Sequence, residues 1–146
     1  MRGQERNMIM TRKESREIVF AILFERAITD ATAEEIIENS EESRGLEMND
    51  FIKSHVFGAE EKEAEIDEVI KRNLKRWTFS RLSKVSVALL RLAVWEMLFD
   101  ENIPVGVSIN EAVELAKTYG GKDDAAYING VLSSVAKNEA VVEKKK

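Results

Sequence analysis

The fold of this chain is decided by residues 85–99, which read VSVALLRLAVWEMLF. Twelve of these fifteen residues are apolar, and only Ser86, Arg91 and Glu96 interrupt them. A surface helix carries a single apolar stripe, whereas a segment that is apolar nearly all round predicts a helix enclosed by other helices. The segment is shorter than the roughly 20 apolar residues needed to cross a bilayer. We therefore interpret it as the buried centre of a helical protein.

Helix-start signals surround this central segment. Three sites match the capping box, in which a Ser or Thr caps a helix and a Glu three residues later returns the bond. The three pairs are Thr11 with Glu14, Thr32 with Glu35, and Ser108 with Glu111. Residues 103–107 are predicted to be extended, because Pro104 disfavours helix in the residue before it. Apolar spacing over residues 60–77 predicts one long helix whose inner stripe ends on Trp77.

Together these signals predict an all-α fold, with about seven helices in two small packed helical bundles around a buried central helix. We expect one helical domain over residues 11–138, divided into an N-terminal lobe over about 11–77 and a C-terminal lobe over about 78–138. Residues 1–10 are expected to be a flexible leader and 139–146 a charged tail. The sequence shows no strand-like alternation, phosphate loop or internal repeat.

Composition argues against an enzyme. The chain has no cysteine, which excludes a disulfide framework and thiol catalysis and fits a cytoplasmic location. His55 is the only histidine, so a zinc site or a histidine-based catalytic site has little to draw on, and a structural role is expected. Glu111 and Glu114 form the one carboxylate pair of interest, and no third ligand accompanies them. No catalytic residue, metal or cofactor is expected, and no segment is long enough to span a membrane.

The charge distribution points to local basic patches. Net charge is −5, yet residues 71–91 hold seven basic and no acidic side chains. Cations near a helix C-terminus are favoured by the helix dipole, so a structural explanation competes with partner binding there. Arg12 and Arg16 share one face of the first helix with Lys13 beside them, which suits either a solvated face or an anionic partner.

The turn between the last two predicted helices concentrates unusual residues within thirteen positions. They are Lys117, Tyr119, Gly120, Gly121, Lys122, Asp123, Tyr127 and Asn129. Two glycines let the backbone approach a ligand closely, two aromatic rings can stack on bases, and two lysines can meet phosphates. A capped helical corner with two packed tyrosines explains the same residues without a ligand. In the last helix, Gly130 predicts close packing of a neighbouring helix.

Three segments also carry a family resemblance. They are WTFSRLSKVSVALLRLAVWEMLF from residue 77, IPVGVSINEAVELAKTYG from residue 103 and YINGVL from residue 127. In order, spacing and helix pattern they resemble the NusB transcription antitermination family. The resemblance implies an all-helical, non-catalytic protein that binds the boxA sequence of ribosomal RNA transcripts. It also implies two partners, the ribosomal small-subunit protein NusE and the RNA polymerase antitermination complex.

Site residues follow from this resemblance position by position. The family's arginine-rich motif falls on Arg12, Lys13 and Arg16, where Glu14 interrupts it. The RNA-contacting turn falls on Lys117, Tyr119, Lys122, Asp123, Tyr127 and Asn129. The NusE-facing surface includes Phe24 and Ser86, and Ser86 stands where some members have an acidic residue.

These assignments predict that both segments flank one groove for single-stranded RNA. Arg12, Lys13, Arg16, Lys117 and Lys122 would then meet phosphates, while Tyr119 or Tyr127 stacks on a base. One alternative is the NusB-like module at the front of some RNA cytosine methyltransferases, whose activity needs a further domain and a nucleophilic cysteine. A second alternative is a helical interaction protein or homodimer with weak RNA binding.

Overall fold

The computed structural model describes residues 10–45 and 47–141. That part of the chain holds seven α-helices, a single 3-10 turn at Phe79–Arg81 and no strand, so the predicted all-α fold is confirmed. The helices are α1 Arg12–Thr29, α2 Ala33–Arg44, α3 Asp50–Glu61, α4 Glu63–Arg72, α5 Lys84–Phe99, α6 Val105–Tyr119 and α7 Asp124–Asn138. The leader predicted before Met10 and the last five residues of the predicted tail lie outside the described residues.

Helix α5 is the buried centre that its sequence predicts. Ten of its sixteen residues are buried, and it packs against α1, α3, α4, α6 and α7. Its start is fixed by Ser83, whose hydroxyl accepts a hydrogen bond from the backbone N–H of Ser86 at 3.1 Å. Each of the remaining helices except α2 therefore packs against α5.

The capping boxes of α1 and α2 are confirmed. Thr11 and Glu14 exchange side-chain bonds with each other's backbone N–H, and Thr32 and Glu35 do the same. Asn49 caps α3 by accepting from the N–H of Ile52 at 2.8 Å. These starts depend on residues three positions apart, which is why the sequence alone reveals them.

The single long helix predicted over residues 60–77 is wrong. A break at Lys62 separates α3 from α4, and α4 ends at Arg72. The buried side chain of Asn73 ends it, because its amide donates to the carbonyl of Val69 and to the carboxylate of Glu139, both at 2.8 Å. Residue 77 consequently lies beyond the helix, and its indole is 49 % exposed rather than part of the core.

The third capping box is also wrong, and the stretch predicted to be extended over residues 103–107 is extended at Pro104 but helical from Val105 onwards. Helix α6 begins at Val105 with Pro104 as its N-cap residue, where a missing N–H costs nothing. Ser108 lies one turn inside the helix, and it is 1 % exposed. Its hydroxyl donates to Glu96 at 2.7 Å, so the residue is part of a buried contact.

Two glycines near the α6–α7 corner have different roles. Gly120 ends α6 as predicted, and a Cβ there would lie 2.8 Å from the carbonyl oxygen of Ala116, so the turn needs a residue without one. Gly130 is exposed, and a Cβ on it would meet nothing within 4 Å. The prediction that Gly130 permits close helix packing is therefore wrong.

Candidate nucleic-acid interface

A buried polar cluster connects four helices at the centre of the molecule. We call it the internal cluster: Arg16 of α1, His55 of α3, Glu96 of α5 and Ser108 of α6. The Glu96 carboxylate accepts from the Arg16 Nε at 3.1 Å and from the Ser108 hydroxyl at 2.7 Å. All four residues are at most 4 % exposed. The guanidinium of Arg16 is thus committed to the interior.

The histidine of this cluster is held by both of its ring nitrogens. Its Nδ1 lies 3.0 Å from the carbonyl oxygen of Phe51, and its Nε2 lies 2.7 Å from Glu96 Oε2. The ring of His55 therefore links α3 to the carboxylate of α5. Burial raises the pKa of Glu96, but the His55 hydrogen bond and the charge of Arg16 outweigh burial, and the pKa lies below its ordinary value.

The N-terminal end of α1 borders a groove of about 780 Å³ against α3 and the α5–α6 connection. Arg12 covers the ring of Phe51 there, with its guanidinium carbon 4.3 Å from the ring centroid. The ring of Phe51 also stacks on His55, with centroids 3.8 Å apart. The aromatic ring of Phe51 is therefore contacted by two side chains of the same chain.

Tyr119 joins the end of α6 to the exposed face of α1. Its hydroxyl donates to Glu17 at 3.1 Å, and its ring centroid lies 5.1 Å from that of Phe20. The hydrogen bond to Glu17 raises the pKa of Tyr119. Phe24 continues the same row, with its ring 6.0 Å from Phe20. Tyr119 thus connects the end of α6 to α1 through Glu17 and Phe20, neither of which is a predicted RNA-contact residue.

A second groove, of about 990 Å³, opens between the α4–α5 loop and the start of α7. We call it the basic groove. Its cationic and aromatic lining consists of Lys75, Arg76, Trp77, Arg81, Lys122 and Tyr127. Asp123 and Asp124 line the same groove beside Lys122, and the buried Ser86 lies in its wall.

The four cations of the basic groove have no ion-pair partner among residues 10–45 and 47–141. This contrasts with the neighbouring cation Arg72, which is bound to Glu139 at 2.7 Å. Asp124 is occupied differently, because its carboxylate accepts from the N–H of Gly121 at 2.7 Å. Positive charge therefore remains available in the groove.

Tyr127 is a partly buried residue that packs against the core and forms part of the groove wall. Its hydroxyl oxygen is buried and has no hydrogen-bond partner within the described part of the chain. Asn129 is exposed two positions further along the same helix. A phenol that packs on the core and borders an open groove presents an aromatic surface to whatever enters it.

The structure thus divides the predicted site residues among three places. The exposed Lys13 and Phe24 lie on α1, and Tyr119 lies at the end of the neighbouring α6. Four other predicted residues line the basic groove: Lys122, Asp123, Tyr127 and Ser86. Arg12 lies over Phe51, and Arg16 is buried with its guanidinium bound to Glu96. Lys117 pairs with Glu114 on the surface at 3.2 Å.

Sequence reasoning missed a further set of groove residues. They are Lys75, Arg76, Trp77 and Arg81. The signal was present in the acid-free run over residues 71–91, but a helix continuing to Trp77 would have hidden the indole in the core. Once α4 ends at Arg72, the same residues form an exposed loop that borders α7.

The described residues hold neither a cluster of metal ligands nor a membrane-spanning helix. Among the described residues, no group of three or more His, Asp or Glu side chains is arranged to hold a metal ion. Within residues 10–45 and 47–141, no helix combines the length and hydropathy that crossing a membrane requires.

The fold and this site define a class, an all-helical binding protein with a basic, aromatic groove. Residues 13–137 match the model of the NusB family, and the chain belongs to that family. The chain is accordingly not an enzyme. It is 42 % identical over 142 residues to transcription antitermination protein NusB of Clostridium botulinum (strain Kyoto / Type A2), with 86 % of this chain and 99 % of the relative covered.

Other relatives agree. The NusB protein of Acetivibrio thermocellus is 43 % identical over 130 residues, covering 88 % of this chain and 90 % of that protein. The solved structure of T. maritima NusB superposes with a TM-score of 0.80 at 34 % identity, covering 89 % and 93 % of the two chains. A crystal structure of the antitermination factors NusB and NusE in complex with dsRNA gives a TM-score of 0.78 at 27 % identity, covering 88 % and 97 %.

Proposed function

We propose that this protein is an RNA-binding transcription antitermination factor. It binds boxA-type single-stranded RNA together with NusE during ribosomal RNA transcription, as part of an RNA polymerase antitermination complex. The observation that carries this proposal is the basic groove, where four cations lack ion-pair partners among the described residues of a chain with a net charge of −5. Family membership and the related NusB–NusE–RNA complex support it.

The RNA path we propose begins at Lys13 on α1, passes Tyr119 and follows the α6–α7 turn into the basic groove. Phosphates meet Lys13, Lys117 and Lys122, and a base stacks on Tyr127. Arg16 is left out of the contact set because it is buried against Glu96. It instead helps fix α1 against α5 and α6 through Glu96 and Glu111.

The decisive experiment is a titration of a boxA-like RNA and a scrambled RNA of equal length, with and without NusE, at several salt concentrations. We expect the boxA-like RNA to bind more tightly, and NusE to increase that preference. Weak, equal binding to both RNAs in the presence of NusE would contradict the proposal.

Two substitutions at one position test the proposed stacking within the same titration. Tyr127→Ala should weaken RNA binding by roughly 1–3 kcal/mol, the usual value of one base–aromatic stack. Tyr127→Phe keeps the ring and removes only a hydroxyl that has no partner among the described residues, so it should bind RNA like the wild type. Unchanged affinity in Tyr127→Ala would remove the stacking role.

One observation favours a second function, a helical interaction protein or homodimer with weak RNA binding. Of the three basic residues in the α1 motif, Arg16 is buried and Arg12 covers Phe51, which leaves Lys13 exposed without an ion-pair partner among the described residues. A motif so depleted contributes little phosphate affinity. Sedimentation of the protein alone distinguishes the two functions, since a stable dimer that binds neither RNA supports the second.

A further inference from the structure

The exposed indole of Trp77 has no structural explanation in the fold. It is 49 % exposed in the loop between α4 and the 3-10 turn, where it supports neither helix. Burying a large apolar side chain is worth roughly 1.5–3 kcal/mol, and this fold leaves much of that gain unused. The other tryptophan, Trp95, is half-buried against the ring of His55, with centroids 4.7 Å apart. The two indoles thus have different environments.

The surroundings of Trp77 indicate its ligand. Lys75, Arg76 and Arg81 line the groove with it, and Tyr127 lines the opposite wall on α7. Aromatic rings interleaved with cations that lack ion-pair partners among the described residues are typical of sites for single-stranded nucleic acid, where bases stack and phosphates meet the cations.

We propose that Trp77 is a stacking platform for an unpaired RNA base, and that Lys75, Arg76 and Arg81 hold the adjoining phosphates. This inference rests on the proposed RNA-binding function and extends its path from α7 across the basic groove to the α4–α5 loop. A paired stem does not offer an unstacked base, so the platform selects single-stranded over duplex RNA.

The test uses the full chain and the boxA-like RNA, with intrinsic tryptophan fluorescence and a label-free affinity measurement as separate readouts. RNA should quench the wild-type fluorescence as it binds. Trp77→Phe retains an aromatic ring, so its affinity should stay within about threefold of the wild type while the quenching is lost. Trp77→Ala should weaken binding by about 5- to 150-fold, the equivalent of one base–aromatic stack.

Phe57→Ala is the matched control, because Phe57 is also an exposed aromatic residue, 40 % exposed, but lies on α3 and does not line the basic groove. It should bind RNA like the wild type. Thermal melting of Trp77→Ala should match that of the wild type, since the indole supports no helix. A fully paired RNA of the same sequence should bind the wild type and Trp77→Ala equally.

The outcomes separate this inference from the function it rests on. If wild type and Trp77→Ala bind the boxA-like RNA equally while Tyr127→Ala binds weakly, the platform is wrong and the proposed function stands. If Trp77→Ala loses NusE but keeps RNA, the loop is a protein contact and the inference is overturned. If the wild type prefers no RNA even with NusE, the proposed function itself fails.

Discussion

The internal cluster and the basic groove both contain basic side chains, but the two regions differ in whether these side chains have a counter-charge. In the internal cluster, the charge of Arg16 is paired with Glu96 of the same chain, and the same carboxylate contacts His55. In the basic groove, cations such as Arg81 and Lys122 have no ion-pair partner within the described residues. The difference shows that a basic residue type does not reveal whether its counter-charge is internal or external. Burial and pairing decide that question.

The largest effect should come from breaking the internal cluster. Glu96→Ala leaves the guanidinium of Arg16 and the ring of His55 buried without their shared carboxylate. We expect a loss of about 3–5 kcal/mol in the free energy of unfolding, the usual cost of removing one partner of a buried pair. Urea denaturation followed by circular dichroism measures it.

The control for this substitution is Glu114→Ala, which removes a carboxylate from an exposed pair with Lys117. A surface pair is worth about 0–1 kcal/mol, so the variant should unfold close to the wild type. If Glu96→Ala were as stable as Glu114→Ala, the cluster would not hold the helices together as described.

The next comparison uses Gly58, which packs against Trp95 beside the internal cluster, and Gly130 at the basic groove. A Cβ on Gly58 would lie 2.5 Å from the Trp95 ring, so Gly58→Ala should destabilise the protein by about 1–3 kcal/mol through overpacking. Gly130 borders the basic groove, and a Cβ there meets nothing within 4 Å. Gly130→Ala should therefore stabilise α7 by about 0.5–1 kcal/mol, because alanine is the better helix former. Thermal melting of the two variants should move in opposite directions, and shifts of the same sign would contradict this comparison.

The contrast between near and distant interactions also explains what the sequence could predict. Helix α5 and the capping boxes at Thr11 and Thr32 depend on residues a few positions apart, and they were predicted correctly. The end of α4 depends on Asn73 binding Glu139, 66 positions later. The inward turn of Arg16 depends on Glu96, 80 positions later. Such partners are set by tertiary packing, so a local pattern does not contain them.

Acid sensitivity should separate the two regions further. The pKa of Glu96 lies below its ordinary value of 4.5 in the folded protein, so the unfolded chain binds more protons in the acid range. The stability this carboxylate contributes is therefore complete above about 4.5 and is lost as pH falls through the lowered pKa. Urea midpoints measured from pH 7 downwards should fall less steeply in Glu96→Gln than in the wild type. Lys122→Gln, a change in the basic groove, should leave the wild-type slope intact, and a Glu96→Gln curve parallel to the wild type would be inconsistent with this role.

The smallest effect tests whether the groove cations meet phosphates. Each phosphate contact that a cation makes releases counterions, so the logarithm of the binding constant falls with the logarithm of salt by about 0.7 per contact for single strands. Lys122→Gln should therefore reduce the slope for the boxA-like RNA by about 0.7. Lys53→Gln is the matched control, because Lys53 is an exposed cation on α3 that does not line the groove, and its slope should equal that of the wild type. Equal slopes for all three proteins would mean that Lys122 is a solvated charge and does not contact a phosphate. The contrast between the internal cluster and the basic groove would then not hold at this position.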